Sequence, residues 1–310
     1  MLTISKYRCP VCKISDWQKL FSTLDKTSQC SFSFYQCKSC GLIKLDPFPE
    51  KSVTEKLYAY TNPEIHNQIS SPIMKLVYMI PGGKYLISSY VRSAHILRQK
   101  VVLQYLASGK LLDVGCGTGE FLTLFDSHFW NLNGVEINHH LTQTIRINYP
   151  KIKIFSKTLE TFYPKSKYDI ITLWHVFEHL PDPLVVIKKC KRLLNDGGWL
   201  IIEIPQANSL TRKLFGPYWN LLLIPQHLFF WTASSLTLIL KTGGFDVIQI
   251  RFCGIVSSFP SSAGNWLRSH RIPSFLSTIA GFLFYPLILL LYLILPRTRD
   301  NLIIIAQKPK

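Results

Sequence analysis

Acidic residues are scarce in this chain beside its basic ones. Against 35 Lys and Arg its 310 residues carry only 18 Asp and Glu, a formal charge of +17 at pH 7. Such a balance favours contact with nucleic acid or an anionic membrane surface. A basic run interleaved with aromatics is also missing. The cations are scattered, which makes nucleic acid the less expected of those two surfaces. No apolar stretch precedes Cys9, so no secretory leader is expected. Cys30, Cys116, Cys190 and Cys253 lack partners at metal-ligand spacing and read as small core residues. Unpaired thiols of this kind point to a reducing compartment and a cytoplasmic location.

The other four cysteines are patterned. Cys9-Pro10-Val11-Cys12 and Cys37-Lys38-Ser39-Cys40 form two C-x-x-C knuckles, with Gly41 supplying a sharp exit from the second. Each knuckle sets two thiolates on one side of a tight turn, and two knuckles close a tetrahedral site. Cys9, Cys12, Cys37 and Cys40 are therefore the expected ligands of a structural zinc, since four protein ligands leave no open position for chemistry. Between the knuckles Ser31-Phe32-Ser33-Phe34-Tyr35-Gln36 alternates as a ribbon strand does.

Further along, Leu111-Leu112-Asp113-Val114-Gly115-Cys116-Gly117-Thr118-Gly119 reads as a short apolar strand, a glycine-alternating turn and the opening of a helix. Glycine lets the backbone approach a ligand with no Cβ between them. The G-x-G-x-G spacing differs from the G-x-G-x-x-G of a pyrophosphate site. Asp113 just ahead of the turn suits an ammonium group better than a phosphate. A second strand, Leu132-Asn133-Gly134-Val135-Glu136-Ile137, ends in an acid that can accept the hydroxyls of a ribose. Lys151–Phe155 and Tyr168–Trp174 read as a third and fourth strand, and the segment from Leu193 to Pro205 as a turn and a fifth. Strands alternating with helical segments specify a doubly wound α/β sheet.

These residues resemble the class I S-adenosylmethionine (SAM) methyltransferases, in order and spacing, from about Gly109 to Ile250. The resemblance implies a Rossmann-like seven-stranded sheet, here with a zinc ribbon ahead of it. It implies SAM as cofactor, bound by Asp113, Gly115, Cys116, Gly117, Gly119, Glu136, Ile137, Leu159, Trp174 and His175. Within the family the chain is similar to the UbiG-like and sugar C-methyltransferase group, in which a zinc module sometimes precedes the catalytic domain. Pro225-Gln226-His227-Leu228-Phe229-Phe230 resembles the P-x-H-L-x-F-F segment of that group.

His227 is thus a candidate general base, or else a packed core histidine. Glu178 and His179 follow the fourth strand as further catalytic candidates, or as capping residues of the next helix. In related quinone-ring O-methyltransferases this place reads E-x-x-E-H and binds a divalent ion. Here it reads His175-Val176-Phe177-Glu178-His179, so the first acid is replaced and a metal at this place stays open. Two segments are expected to roof the pocket: a helical stretch over about 52–106, with Met74, Tyr78, Met79, Tyr85 and Tyr90, and Gln206–Trp231, rich in aromatics.

From Ile272 to Pro296 there is no charged residue. An apolar run of about 20 residues is long enough to span a bilayer. A simple span conflicts with Asn301–Lys308, which reads as the last strand, inserted antiparallel beside the fifth. Arg268 and Arg271 before the run, and Arg297 and Arg299 after it, favour both ends on the cytosolic side. With Pro286 bending it, the segment is expected to form a re-entrant or monotopic hairpin, the alternative being a buried helix in a cap or dimer.

The organisation expected is a zinc ribbon over 1–50, a helical linker and cap over 51–107, and a SAM-binding domain over 108–252. A membrane-associating insertion over 253–299 and a last strand over 300–310 follow. The expected function is methylation at oxygen or carbon of a small or lipid-linked acceptor at the cytosolic membrane face: a glycan precursor, a polyprenyl-borne sugar or a quinone. An RNA methyltransferase and a non-catalytic SAM-binding protein are the alternatives.

Overall fold

A computed structural model describes residues 7–25, 29–49, 83–254, 258–273 and 285–310, with Leu276 and Leu283 in addition. The proposed cap residues over 52–82 and much of the apolar run lie outside the described residues.

Seven strands form the main sheet: β4 (Gly109–Val114), β5 (Trp130–Glu136), β6 (Lys153–Ser156), β7 (Tyr168–Trp174), β8 (Leu194–Pro205), β10 (Asp246–Cys253) and β11 (Asn301–Gln307). Their order is β10-β11-β8-β7-β4-β5-β6. β4 through β8 run parallel, while β11 pairs antiparallel with both β8 and β10. The seven-stranded Rossmann-like sheet, with its last strand inserted beside the fifth, is as the sequence predicts.

Alternate residues of the central strands feed two cores, one on each face. Leu112, Ile171, Leu173, Leu200, Ile202, Leu302 and Ile304 lie in one; Leu111, Ile170, Ile201, Ile303 and Ile305 lie in the other. Burial on both faces explains why these strands read as continuous apolar runs. Helices α1 (Gly83–Leu103), α2 (His139–Asn148), α3 (Pro183–Leu193) and α5 (Ala233–Thr242) belong to this layer. Asn138 caps α2 by accepting from His140 N and Leu141 N, and Asp182 caps α3 by accepting from Val185 N.

One expectation fails at the glycine turn. No helix opens after Gly119; a single 3-10 turn, Leu122–Leu124, carries the chain toward β5. Phe121, Leu122 and Phe125 are buried there, and Asp126 accepts from His128 N at 2.9 Å to close the next bend. So few residues with three apolar anchors leave no length for a helix.

The N-terminal ribbon consists of β1 (Trp17–Leu24), β2 (Ser31–Cys37) and β3 (Ile43–Asp46), and β9 (Phe229–Phe230) completes it as a fourth strand. Phe32 and Phe34 of β2 are buried, as the alternation predicts. They pack with Ile43, Leu45, Trp219, Leu222 and Phe230. Trp219, Phe229, Phe230 and Trp231 are thus buried between ribbon and sheet. Their packing removes a large apolar area from water. Cys116 and Cys190 are buried core residues as expected, but Cys30 is exposed, just ahead of β2.

Between β10 and β11 lie α6 (Ser258–Ser269) and α7 (Tyr285–Ile294); α4 (Leu210–Phe215), from the segment after β8, packs with them. Cys253 pairs with Asn301, so the insertion leaves and re-enters at the carboxyl edge of the sheet. Among the described residues, no helix is long and apolar enough to cross a membrane.

Candidate active site

The three glycines of the turn do different work. Gly115, Gly117 and Gly119 all have positive φ, at 67°, 55° and 77°. A Cβ on Gly115 would stand 2.6 Å from Val176 Cγ2, and one on Gly119 3.2 Å from Ile145 Cγ1, whereas one on Gly117 would meet nothing within 4 Å. The turn is packed at both ends and faces open space in the middle. The N–H of Gly117 donates to Glu136 Oε2 at 3.0 Å, and that of Asn138 to Glu136 Oε1 at 2.9 Å. Each carboxylate oxygen has two acceptor sites, so both retain capacity for a ligand hydroxyl.

Asp113 is buried beneath the turn and accepts from Thr172 Oγ1 at 2.6 Å. Burial pushes its carboxyl up to about 7, against the pull of the Thr172 hydroxyl and Arg98. Cys116 packs its sulfur against Gly134, where a Cβ would lie 2.6 Å away. Ile137 is half-buried after Glu136, and Leu159 is buried in the core. These residues fit a ligand with an ammonium, a ribose and an apolar ring. The open face at Gly117 is the observation that carries the fit.

Trp174 and His175 end β7. The Trp174 ring packs edge-on against Phe121 at 5.3 Å, with the Arg98 guanidinium 5.3 Å from its centroid. Among the described residues its buried indole Nε1 has no hydrogen-bond partner. His175, at φ 57°, lies between two acids: Nδ1 is 3.3 Å from Glu178 Oε1 and Nε2 is 3.3 Å from Glu203 Oε1. Burial opposes its charge, but Glu203 and Glu178 together outweigh this and raise it to about 9. Arg98 Nε donates to Glu203 Oε2 at 2.7 Å, and Asn301 Nδ2 donates to Glu203 Oε1 at 2.9 Å. His175 is thus a cation inside an ion network.

Glu178 is buried in a 3-10 turn, Phe177–His179, and does not cap α3, a role that Asp182 fills. Burial would raise its carboxyl, yet His175, His179 and His227 hold it below the ordinary value. His227 donates from Nδ1 to Leu221 O at 2.8 Å, and its Nε2 stands 4.0 Å from Glu178 Oε1. Burial and the nearby His179 press its pKa down to about 3, so the imidazole is neutral, with its lone pair on Nε2. His179 meets the His227 ring edge-on at 4.6 Å and directs Nδ1 to Gln226 O at 3.0 Å. Glu178, His179 and His227 also present three donor atoms within 4.8 Å of one another. The structure therefore gathers all three catalytic candidates into one buried cluster beside His175.

At the far end of the ribbon, Cys9 Sγ lies 3.5 Å from Cys40 Sγ and Cys12 Sγ 3.4 Å from Cys37 Sγ, and all four sulfurs fall within 4.8 Å of one another. Tetrahedral zinc with bonds of about 2.3 Å spaces its sulfurs about 3.8 Å apart, so the set fits that ion. Lys13 and Gly41, at φ 65° and 79°, close the two knuckles.

Arg98, Thr172, Glu203 and Asn301 escape the sequence reading. Glu203 leaves a signal, an acid interrupting the apolar run Leu200-Ile201-Ile202-Glu203-Ile204. The others are single polar residues that only the fold brings together.

Comparison with known proteins agrees with this geometry. A family model described as Methyltransferase domain matches residues 91–250. A protein of Mycolicibacterium smegmatis named as an S-adenosylmethionine-dependent methyltransferase is 31% identical over 155 residues, 48% of this chain and 58% of the relative. A ubiquinone biosynthesis O-methyltransferase of Coxiella burnetii is 30% identical over 192 residues, covering 55% and 77%. A crystal structure of a SAM-dependent methyltransferase from Archaeoglobus fulgidus aligns with a TM-score of 0.46 at 22% identity, over 70% of this chain and 94% of that one. The chain spans little more than half the length of the first curated relatives it matches, 58% and 55%. The match over residues 91–250, on a sheet of this order, means that the chain belongs to the methyltransferase-domain family and has the architecture of a class I SAM methyltransferase.

Proposed function

We propose that the protein is a SAM-dependent methyltransferase acting on a small or lipid-linked acceptor, a quinone ring, glycan precursor or polyprenyl-borne sugar, at the cytosolic face of a membrane. The observation that carries the reading is the pairing of an open, Glu136-backed glycine turn with the buried His227–Glu178 pair near the same sheet edge. SAM, when bound, supplies a methyl group activated on a sulfonium, so the protein's share is orientation and proton transfer.

Within the chain, Asp113 answers an ammonium, Glu136 accepts ribose hydroxyls and Gly117 lets the ligand close on the backbone. His227, its Nδ1 fixed by Leu221 O, receives a proton at Nε2 from an acceptor hydroxyl or carbon acid. The Glu178 carboxylate, 4.0 Å away, offsets the imidazolium charge that results. Arg98 and Glu203 hold His175, and through it Glu178, in place.

Two observations support membrane-borne presentation. The insertion begins and ends at this edge, with Cys253 and Asn301 beside Glu203. Leu287, Leu290, Leu293 and Ile294 of α7 are exposed, at 55%, 52%, 71% and 64%. A nucleic-acid acceptor has less support. Lys167, Lys188, Lys191, Arg192 and Lys308 line one concavity of about 680 Å³, but it lies at the amino edge of the strands, away from the glycine turn. The test is methyl transfer from labelled SAM to quinols, polyprenyl-linked sugars and RNA, each offered with and without vesicles. Transfer to a lipid-borne acceptor supports the proposal; transfer to RNA alone, or SAM binding with no transfer to any of them, overturns it.

A further inference from the structure

We propose that the cysteine ribbon acts as a strut that positions His227, so that zinc in the ribbon sets the placement of the base. This rests on the readings that the four cysteines hold zinc and that His227 is the base.

The path is short and continuous. Cys37 and Cys40 close the second knuckle, where Gly41 N donates to Cys37 O at 2.8 Å and Cys37 N to Leu42 O at 2.8 Å. Strand β3 starts immediately after, at Ile43. It pairs antiparallel with β9, Ile43 opposite Phe230 and Lys44 opposite Phe229. Leu45 N then donates to Leu228 O at 3.1 Å, and Leu228 N donates to Glu178 O at 2.9 Å. The residue after His227 is therefore held on one side by the ribbon and on the other by the backbone of its proposed partner. A second tie runs from the knuckle itself, because Cys40 O accepts from Thr232 Oγ1 at 3.4 Å and Ser234 Oγ at 3.3 Å.

On the other side of His227 the tie is not a strand: Gln226 O faces His179 Nδ1 at 3.0 Å. The chain before it is irregular, and its own bonds, from N to Leu223 O at 3.0 Å and from Nδ1 to Leu221 O at 2.8 Å, stay within that segment. The glycine turn owes the ribbon nothing comparable, since its bonds run to Val135 and Glu136 of β5. Many small zinc modules fold only with their metal. Losing zinc should therefore release β3, then β9, then His227, and spare the cofactor turn.

The experiment removes zinc from the full chain with a chelator, and separately by Cys37→Ser/Cys40→Ser. It reads zinc content, SAM affinity by calorimetry, amide hydrogen exchange at Leu228–Phe230 and at Gly115–Gly119, and turnover. The expected result is unchanged SAM affinity and unchanged exchange in the glycine turn, fast exchange at Leu228–Phe230, and a loss of turnover of about 100-fold or more, the contribution of a positioned base. Added zinc should reverse the chelator's effect. A double variant, Thr232→Val/Ser234→Ala, keeps all four cysteines. It should retain zinc while losing part of the turnover, which keeps the idea testable if the serine variant fails to fold. Undisturbed exchange and turnover after zinc leaves would overturn the strut, and so would loss of SAM binding together with turnover. Purified wild-type chain without zinc would instead defeat the metal reading. Turnover unaffected by His227→Gln would defeat the base reading.

Discussion

His227 and Glu178 stand on different segments, yet Nε2 of the one lies 4.0 Å from Oε1 of the other, and both side chains are almost wholly buried. Leu228 N donates to Glu178 O at 2.9 Å, so the backbones are tied as well as the side chains. A neutral imidazole in so dry a place is a poor base alone. Burial and the neighbouring His179 hold its pKa at about 3, outweighing the adjacent carboxylate, which pulls toward protonation.

His227→Gln should lower kcat by roughly 10²–10⁴-fold, the range of a positioned general base, and leave SAM affinity unchanged. Glu178→Gln should cost less, on the order of 10- to 100-fold, or about 1.4–2.7 kcal/mol of transition-state stabilisation. Steady-state kinetics with a quinol or polyprenyl-sugar acceptor, beside calorimetry with SAM, decides it. Equal turnover in wild type and His227→Gln would return His227 to the status of a packed core residue.

Much of this was legible in order and type, less in contact. Tyr168–Trp174 reads as a strand because a run buried on both faces must be apolar throughout, and β7 spans those same residues. The last strand was legible for the same reason. Local pattern could not reveal that Phe229 and Phe230 form a strand of the ribbon, since a two-residue strand has no period to detect. Nor could it reveal the Arg98–Glu203–His175 network, whose members come from a helix, one strand end and the turn after another. Spacing puts residues on one face of one element; only packing brings separate elements together.

Gly117 and Gly115 should respond differently to substitution. Gly117→Val places a branched side chain in open space that the ligand would fill, so SAM binding should disappear while the melting temperature falls only by the strain of a residue at φ 55°. Gly115→Ala sets a methyl 2.6 Å from Val176 at φ 67°, so its main effect should be lost stability, on the order of 1–3 kcal/mol. Glu136→Ala should weaken SAM by roughly 1–3 kcal/mol while its backbone donors lose their acceptor. Calorimetry and thermal melts on the same preparations separate the two effects. Normal SAM affinity in Gly117→Val would remove the cofactor assignment.

Asp113 gives the cofactor site a pH signature. Its pKa rises from 3.8 to about 7 on folding because burial disfavours the charge. Between those values the folded chain holds a proton that the unfolded chain has released, so stability falls as pH rises from about 4 to 7 and then levels. The fall should be on the order of 2–4 kcal/mol in the ligand-free protein. A ligand that brings an ammonium to Asp113 favours the charged form, so SAM affinity should climb over the same window. Asp113→Asn should flatten both curves. A variant with the wild-type pH dependence of stability and of binding would sink the claim.

The apolar insertion carries the riskiest expectation. Over its ten described residues α7 is about 15 Å long, half of a hydrocarbon core of about 30 Å, so it does not span by itself. One face is already used. Ile288 and Tyr292, one turn apart, are buried, and Tyr292 Oη donates to Asp300 Oδ2 at 2.5 Å, which fixes the helix to the start of β11. Arg299 Nε donates to Tyr292 O at 3.1 Å and Nη1 to Phe252 O at 3.2 Å, so this arginine serves the fold, leaving Arg297 exposed to meet lipid phosphate. The opposite face, Leu287, Leu290, Leu293 and Ile294, is exposed and has the makings of an interfacial surface. Leu290→Asp/Leu293→Asp should abolish flotation with anionic vesicles and reduce methylation of lipid-borne acceptors, with little effect on a short water-soluble analogue. Ser269→Cys and Thr298→Cys should both react with a membrane-impermeant thiol reagent from the cytosolic side alone. Labelling from opposite sides would mean a span, and wild-type chain that stays soluble without detergent and ignores vesicles would mean that this face is covered by protein.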